Sequence, residues 1–177
     1  MIIFDLDGTL ADCEHRRHFV SEHHWNKLRG SIPPPIPHFD GCWKPDWKAF
    51  YEACDKDYRI EPTVALLNSI FRTFIWGDYR DSSKVPIEIW SGRCESVRQK
   101  TVEWFYRNSV PTTIKLKMRP IGDYTPDDQL KERWLDEHIA GGGMPIEMVF
   151  DDRPKVVRMW RKRGIFVFDV NQSGEEF

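Results

Sequence analysis

Short apolar runs alternate along the chain with longer stretches in which apolar residues recur every three or four positions. That alternation predicts βαβ units and a parallel sheet. Five strands are expected, at Ile2 to Leu6, Ile87 to Trp90, Thr113 to Met118, Ile146 to Phe150 and Ile165 to Asp169, each short and apolar as suits a strand buried on both faces. Helices are expected between them, at Pro62 to Phe74, Glu95 to Arg107, Asp127 to His138 and Pro154 to Arg163. Val64, Leu67, Ile70 and Phe71 mark the inward face of the first, and Val102, Phe105 and Tyr106 that of the second. Pro62, Pro126 and Pro154 stand where a first-turn proline belongs, and Gly164 follows a basic last turn, Arg161-Lys162-Arg163.

The stretch from about residue 12 to 60 breaks the alternation. It carries Ser31-Ile-Pro-Pro-Pro-Ile-Pro37 and two short helical patterns, His15 to Leu28 and Asp46 to Cys54, and reads as a small cap-like insertion after the first strand. A second excursion, Gly77 to Pro86, is rich in Asp, Ser and Pro. The whole, 177 residues, is read as one domain with that insertion. With 40% hydrophobic and 31% charged residues the chain is too apolar for disorder and too interrupted by charge to span a membrane. A net charge of -2 leaves no global footprint for a nucleic-acid coat or an anionic membrane, so any nucleic-acid contact must be local. Cys13, Cys42, Cys54 and Cys94 show no C-x-x-C spacing and no signal peptide is evident, which fits free thiols in the cytoplasm.

Four groups of chemically active residues lie where expected strands end, and in an open parallel sheet that edge is where ligands bind. In Asp5-Leu6-Asp7-Gly8-Thr9 two carboxylates sit two residues apart. Such crowding needs an offset, which Mg²⁺ with a phosphate supplies; the alternative is a solvated acidic turn. Asp5 would attack phosphorus, and Asp7 would protonate the leaving oxygen and then activate water. Ser91-Gly92-Arg93 follows the second strand, where a hydroxyl, backbone N–H groups and a guanidinium can hold an anion, or simply cap a helix. Lys131, one turn into its helix, can neutralise nucleophile and phosphoryl group, or be an exposed lysine. Asp151-Asp152-Arg153 ends the fourth strand; Asp151 would join Asp5 and the Asp7 carbonyl around the metal, with Asp152 holding a metal-bound water, or the pair would cap the next helix.

In this order and on these strands, the four groups resemble the haloacid dehalogenase superfamily of phosphotransferases over nearly the whole chain. The resemblance implies a Rossmann-like three-layer α/β sandwich with strand order 5-4-1-2-3, bringing Asp5, Asp7 and Asp151 around one Mg²⁺. A narrower likeness rests on Phe4-Asp5-Leu6-Asp7-Gly8-Thr9-Leu10-Ala11 with Arg16, Ser91-Gly92-Arg93-Cys94-Glu95, Met118-Arg119 with Gly122-Asp123, and Asp127-Asp128 with Lys131. It continues through Asp151-Asp152-Arg153, Val156 to Arg161, Gly164 and the tail Val170 to Phe177. These are similar to the phosphatase half of bacteriophage polynucleotide kinase 3′-phosphatases. That implies removal of a 3′-phosphate from a DNA or RNA end, with Arg16 and Arg93 gripping substrate phosphates and Asp127 orienting Lys131.

Thr9 and Gly92 are counted with Arg16 and Arg93 as substrate-binding candidates, and Arg17 can stand in for Arg16. No G-x-x-x-x-G-K-[ST] occurs, so no ATP site is expected. Basic and aromatic residues of the insertion, His15, Arg16, Arg17, His18, His23, His24, Trp25, Trp43 and Trp47, suit a nucleotide, or form a helix with Phe19 and Trp25 inward and the basic groups solvated. The rival readings are a phosphatase of free nucleotides or another small phosphate ester, and a catalytically silent module that binds nucleic-acid ends.

Overall fold

The structure, a computed structural model, describes residues 1–28, 43–77 and 86–171. The proline-rich segment, most of the second excursion and the end of the tail lie outside the described residues. The elements are β1 Ile2–Phe4, β2 Ala11–Asp12, α1 Glu22–Leu28, α2 Trp47–Glu52, β3 Tyr58–Arg59, α3 Glu61–Trp76 and β4 Ile87–Cys94. They continue with α4 Arg98–Arg107, β5 Lys115–Arg119, α5 Asp127–Ala140, β6 Met148–Asp151, α6 Pro154–Lys162 and β7 Phe166–Asp169.

Five strands form one sheet in the order β5-β4-β1-β6-β7, all neighbours parallel. This is the order expected from the resemblance. The strand period of two decides the layers. Ile2 and Phe4 of β1 face one core with Val64, Leu67 and Phe71 of α3 and Trp104 and Phe105 of α4. Met1 and Ile3 face the other, with Leu130, Trp134 and Leu135 of α5 and Val156, Val157 and Trp160 of α6. A three-layer α/β sandwich results, with β1 at its centre.

Several boundaries differ from the sequence reading, for reasons that lie in pairing. β4 runs through Ser91, Gly92 and Arg93 to Cys94 instead of stopping at Trp90, because β5 pairs with it that far across an irregularity between Ser91 and Cys94. The Ser91-Gly92-Arg93 group is thus strand, not the first turn of a helix; a 3₁₀ turn, Glu95–Val97, intervenes before α4. The edge strands β5 and β7 are not buried on both faces. On α4 the inward residues are Thr101, Trp104 and Phe105, and Tyr106 is exposed. Pro62 and Pro154 occupy first-turn positions, whereas Pro126 caps α5 from outside.

The insertion starts and ends at a feature with no clear signal in the sequence: β2 and β3 pair antiparallel, Ala11 with Arg59 and Asp12 with Tyr58. Its first helical pattern divides into a 3₁₀ turn, Glu14–Phe19, and α1. The Leu10 carbonyl accepts from Ile60 N–H at 2.8 Å, so the chain returns to the sheet beside the point where it left. No helix among the described residues is long and apolar enough to cross a membrane.

Leu67 is fully buried between α3 and the sheet, so Leu67→Ala should lower stability by about 2–5 kcal/mol. Urea unfolding would show this as a lower midpoint with an unchanged slope. A loss under about 1 kcal/mol would mean that α3 does not seal this core.

Candidate active site

β1 and β6 are neighbours and point the same way, so the residues that follow or end them meet at one edge of the sheet. The Asp5 N–H donates to the Phe150 carbonyl at 2.9 Å, which fixes Asp5 beside Asp151. From α5 across the layer, Lys131 Nζ reaches Asp5 Oδ1 at 2.8 Å and Asp151 Oδ2 at 2.7 Å. One carboxylate oxygen from each of Asp5, Asp151 and Asp152 lies within 4.8 Å of the others, and all three residues are buried.

Burial pushes the Asp5 carboxyl well above the usual range; Lys131 pulls it down, while Asp151 and Asp152 push it up again. Asp152 is raised to about 7, first by burial and then by Asp151. The Lys131 ammonium is raised despite burial, because Asp151, Asp5 and Asp127 all favour its charged form. Three hard oxygen donors this close together fit a divalent cation such as Mg²⁺. Gly8 belongs to this packing: it has φ +85°, and a Cβ there would sit 1.9 Å from Asp152 Oδ2.

Asp7 faces elsewhere. Its Oδ1 accepts from Arg16 Nη2 at 2.7 Å and from Arg93 Nε and Nη2 at 2.8 and 2.5 Å. Burial alone would raise its pKa, but the two guanidiniums bring it down to about 2. Both arginines are fully buried and are joined by Asp57, which takes Arg16 Nε and Nη2 at 2.7 Å each and Arg93 Nη2 at 2.5 Å. His15 Nε2 lies 2.9 Å from the same carboxylate, and the Asp57 carbonyl accepts from Trp104 Nε1 at 2.7 Å. Two carboxylates and two guanidiniums therefore tie the insertion to the core.

A cavity of about 680 Å³ opens beside these groups and is lined by Asp5, Asp7, Lys131 and Gly92 among others. Asp127, at the start of α5, pairs with Arg119 and Arg153 on its walls. Gly92 leaves space for that carboxylate: a Cβ there would meet Asp127 Oδ1 at 2.7 Å.

The expected site residues thus gather, with several differences of posture. Asp152 stands inside the carboxylate cluster, not outside it, and the Asp7 carboxylate is taken by arginines, leaving only its carbonyl as the expected metal ligand. Thr9 is buried and donates to Asp152 Oδ1 at 3.3 Å, so it supports the cluster instead of facing the cavity. Ser91 is also buried, its Oγ accepting the Arg93 N–H at 3.1 Å. Arg16 is turned onto Asp7 and Asp57, Arg17 pairs with Glu14, and Lys131 is oriented by Asp5 and Asp151, with Asp127 acting on it only through its charge. The basic residues of the insertion do not share one environment: Arg16, Arg17 and His24 are buried, His15 and His23 are exposed, and Phe19 and Trp25 are half-buried. Of those aromatic and basic residues only Trp47 lines the cavity among the described residues.

Asp57 carries much of this geometry without having been singled out from the sequence, and Arg119 and Arg153, quoted there within motifs, were given no role. Cys54-Asp55-Lys56-Asp57 looks like any solvated charge run, and only the fold turns its last member inward. Asp57→Ala would leave two buried guanidiniums short of a carboxylate, a change that should cost about 3–5 kcal/mol of stability. Chemical denaturation would measure it; a variant as stable as the parent would show that the arginines do not depend on Asp57.

The family model described as the polynucleotide kinase PNKP phosphatase domain matches residues 54–175. A protein of Autographa californica nuclear polyhedrosis virus, named as a candidate bifunctional polynucleotide kinase/RNA ligase, is 34% identical over 134 residues, which is 75% of this chain and 18% of the viral one. A solved structure of the Pnkp1/Rnl/Hen1 RNA repair complex aligns with 95% of this chain and 41% of its own, with TM-score 0.61 and 23% identity. A haloacid dehalogenase-like hydrolase from Streptococcus pneumoniae aligns with 95% of this chain and 82% of its own, with TM-score 0.54 and 17% identity. At these identities the two solved structures speak for the fold. This chain spans less than half the length of the viral relative and of the repair-complex chain. With the matched family model covering more than half of it, the chain belongs to the polynucleotide kinase phosphatase-domain family of haloacid dehalogenase-type phosphoric monoester hydrolases.

Proposed function

We propose that the protein removes the 3′-phosphate from polynucleotide ends through an aspartyl-phosphate on Asp5. The observation that carries this reading is Lys131, whose ammonium bridges Asp5 and Asp151 beside a cavity while Asp7 is held two residues away. A carboxylate braced by a buried cation is poised to meet a dianionic phosphoryl group, which needs both a nucleophile and charge compensation. The polynucleotide end is supported by the family and by the relatives, whose names join a kinase to an RNA ligase and an RNA repair complex.

In the first half-reaction an Asp5 oxygen forms a bond to phosphorus as the bond to the 3′-oxygen breaks, and Asp7 gives that oxygen a proton. In the second, Asp7 takes a proton from water as the water oxygen attacks phosphorus, freeing Asp5 and inorganic phosphate. Arg16 and Arg93 favour the ionised form of Asp7, which suits the second step. For the first, the guanidiniums would turn toward the incoming phosphate and so release Asp7 to hold a proton. Mg²⁺ held by Asp5, Asp151 and Asp152, with the Asp7 carbonyl, would polarise the phosphoryl oxygens and offset their charge. The insertion acts as a cap in this reading, since Asp57 and Arg16 carry its position directly to Asp7.

Phosphate release should be selective for a 3′-phosphorylated oligonucleotide over its 5′-phosphorylated twin. Asp5→Asn should lower that release by at least about 10³-fold while the far-ultraviolet circular dichroism stays unchanged. Near-parental turnover by this variant would rule out Asp5 as nucleophile. Chelation of divalent cations should abolish release and added Mg²⁺ restore it, whereas full activity in excess chelator would remove the metal from the mechanism.

A further inference from the structure

The cavity beside Asp5 and Lys131 has walls that differ from what a strand-tracking groove requires. On the insertion side stands Trp47, at the start of α2, 43% exposed. Its ring is held edge-on against Phe50, centroids 5.8 Å apart and planes at 81°, and Phe50 in turn lies under the Arg16 guanidinium at 4.1 Å. One turn on, the Tyr51 hydroxyl donates to the Gly92 carbonyl at 3.4 Å, which brings α2 over the end of β4. The cavity is also lined by the loop from β5 to α5, where Tyr124 is 86% exposed. Arg119 braces that loop, its Nη1 donating to the carbonyls of Asp123 at 3.2 Å and Thr125 at 2.5 Å. Two aromatic rings thus line a site whose volume, about 680 Å³, falls within the ~300–1,000 Å³ of small-ligand pockets.

The charges around this cavity cancel. Among the described residues, Lys48, Lys100 and Lys155 are matched by Glu52, Asp123 and Asp128, and nearer the carboxylate cluster Lys131, Arg119 and Arg153 are matched by Asp5, Asp7 and Asp127. A groove that follows a nucleic-acid backbone needs a net positive lining, because phosphate contacts supply most of its affinity. A base, in contrast, gains by stacking on an aromatic face whatever its sequence, with no phosphate contact involved.

We infer that the site reads the terminal nucleoside and not the strand behind it: the base of the 3′-terminal nucleotide stacks on Trp47, with Tyr124 closing the other side, and no extended backbone is gripped by this lining. The inference rests on the proposed 3′-phosphatase reading and names what that site recognises. A nucleoside 3′-monophosphate and the end of a longer strand then present it with the same features.

The test compares the Michaelis constants of the intact protein for a nucleoside 3′-monophosphate and a 3′-phosphorylated decamer, at 50 and 200 mM salt, with an aryl phosphate alongside. Each phosphate contact changes affinity about threefold over that salt range, so both nucleotide substrates should shift by only about that factor and lie within about threefold of each other. Trp47→Ala should raise both constants about tenfold, and Trp47→Phe should restore most of the loss. A decamer bound more than about tenfold tighter, with a shift of about thirtyfold or more across the salt range, would mean that the backbone is gripped and would overturn the inference. So would an unchanged constant in Trp47→Ala. Hydrolysis of the aryl phosphate with no turnover of either nucleotide substrate would instead overturn the polynucleotide reading itself.

Discussion

The Lys131 ammonium is the interaction on which the rest of the site depends. Asp5, Asp151 and Asp152 are drawn together by neighbouring parallel strands at an edge where little water reaches them, and their mutual repulsion would be prohibitive without a cation between them. α5 supplies it from the layer packed on the sheet, with Leu130, Trp134 and Leu135 anchoring the helix that presents it. The three carboxylate oxygens held this close form a donor set that fits a divalent cation.

A second pairing of buried charges does a different task. Arg16 from the insertion and Arg93 from β4 share Asp7 and Asp57, so the insertion, the central sheet and α4 meet in one network. The consequence is mechanical: a shift of the insertion would be felt at Asp7, two residues from Asp5. Phe50 packed on Arg16 extends the same linkage to Trp47 at the cavity wall. Recognition and chemistry are thereby held by one set of contacts.

Legibility from sequence varied with the range of the interaction concerned. The helix carrying Lys131 and the strand leading to Asp5 show in local periodicity, and the sheet order agrees with that implied by the resemblance. β4 was read too short because Ser-Gly looks like a turn, whereas pairing with β5 keeps those residues extended. Tyr106 was read as inward because it falls near the apolar stripe of α4, yet Trp104 fills that face. Thr9, Ser91 and Arg16 turn onto Asp152, the Arg93 N–H and Asp57, partners that packing selects and that no local pattern shows.

By itself the sequence determined the α/β architecture and the edge of the sheet at which Asp5, Asp7, Lys131 and Asp151 converge. It could do so because alternation of apolar residues within a few positions sets which faces are buried, and the ends of parallel strands necessarily lie together. Only the tertiary structure decided that Asp152 joins the carboxylate cluster, that Arg16 and Arg93 hold Asp7 and share Asp57, and that Trp47 and Tyr124 line one cavity. Arg93 and Asp7 are 86 residues apart and Arg16 and Asp57 are 41 apart, and no local pattern encodes such a pairing. It arises because a charge that folding removes from water must take whichever opposite charge the packed elements bring within reach.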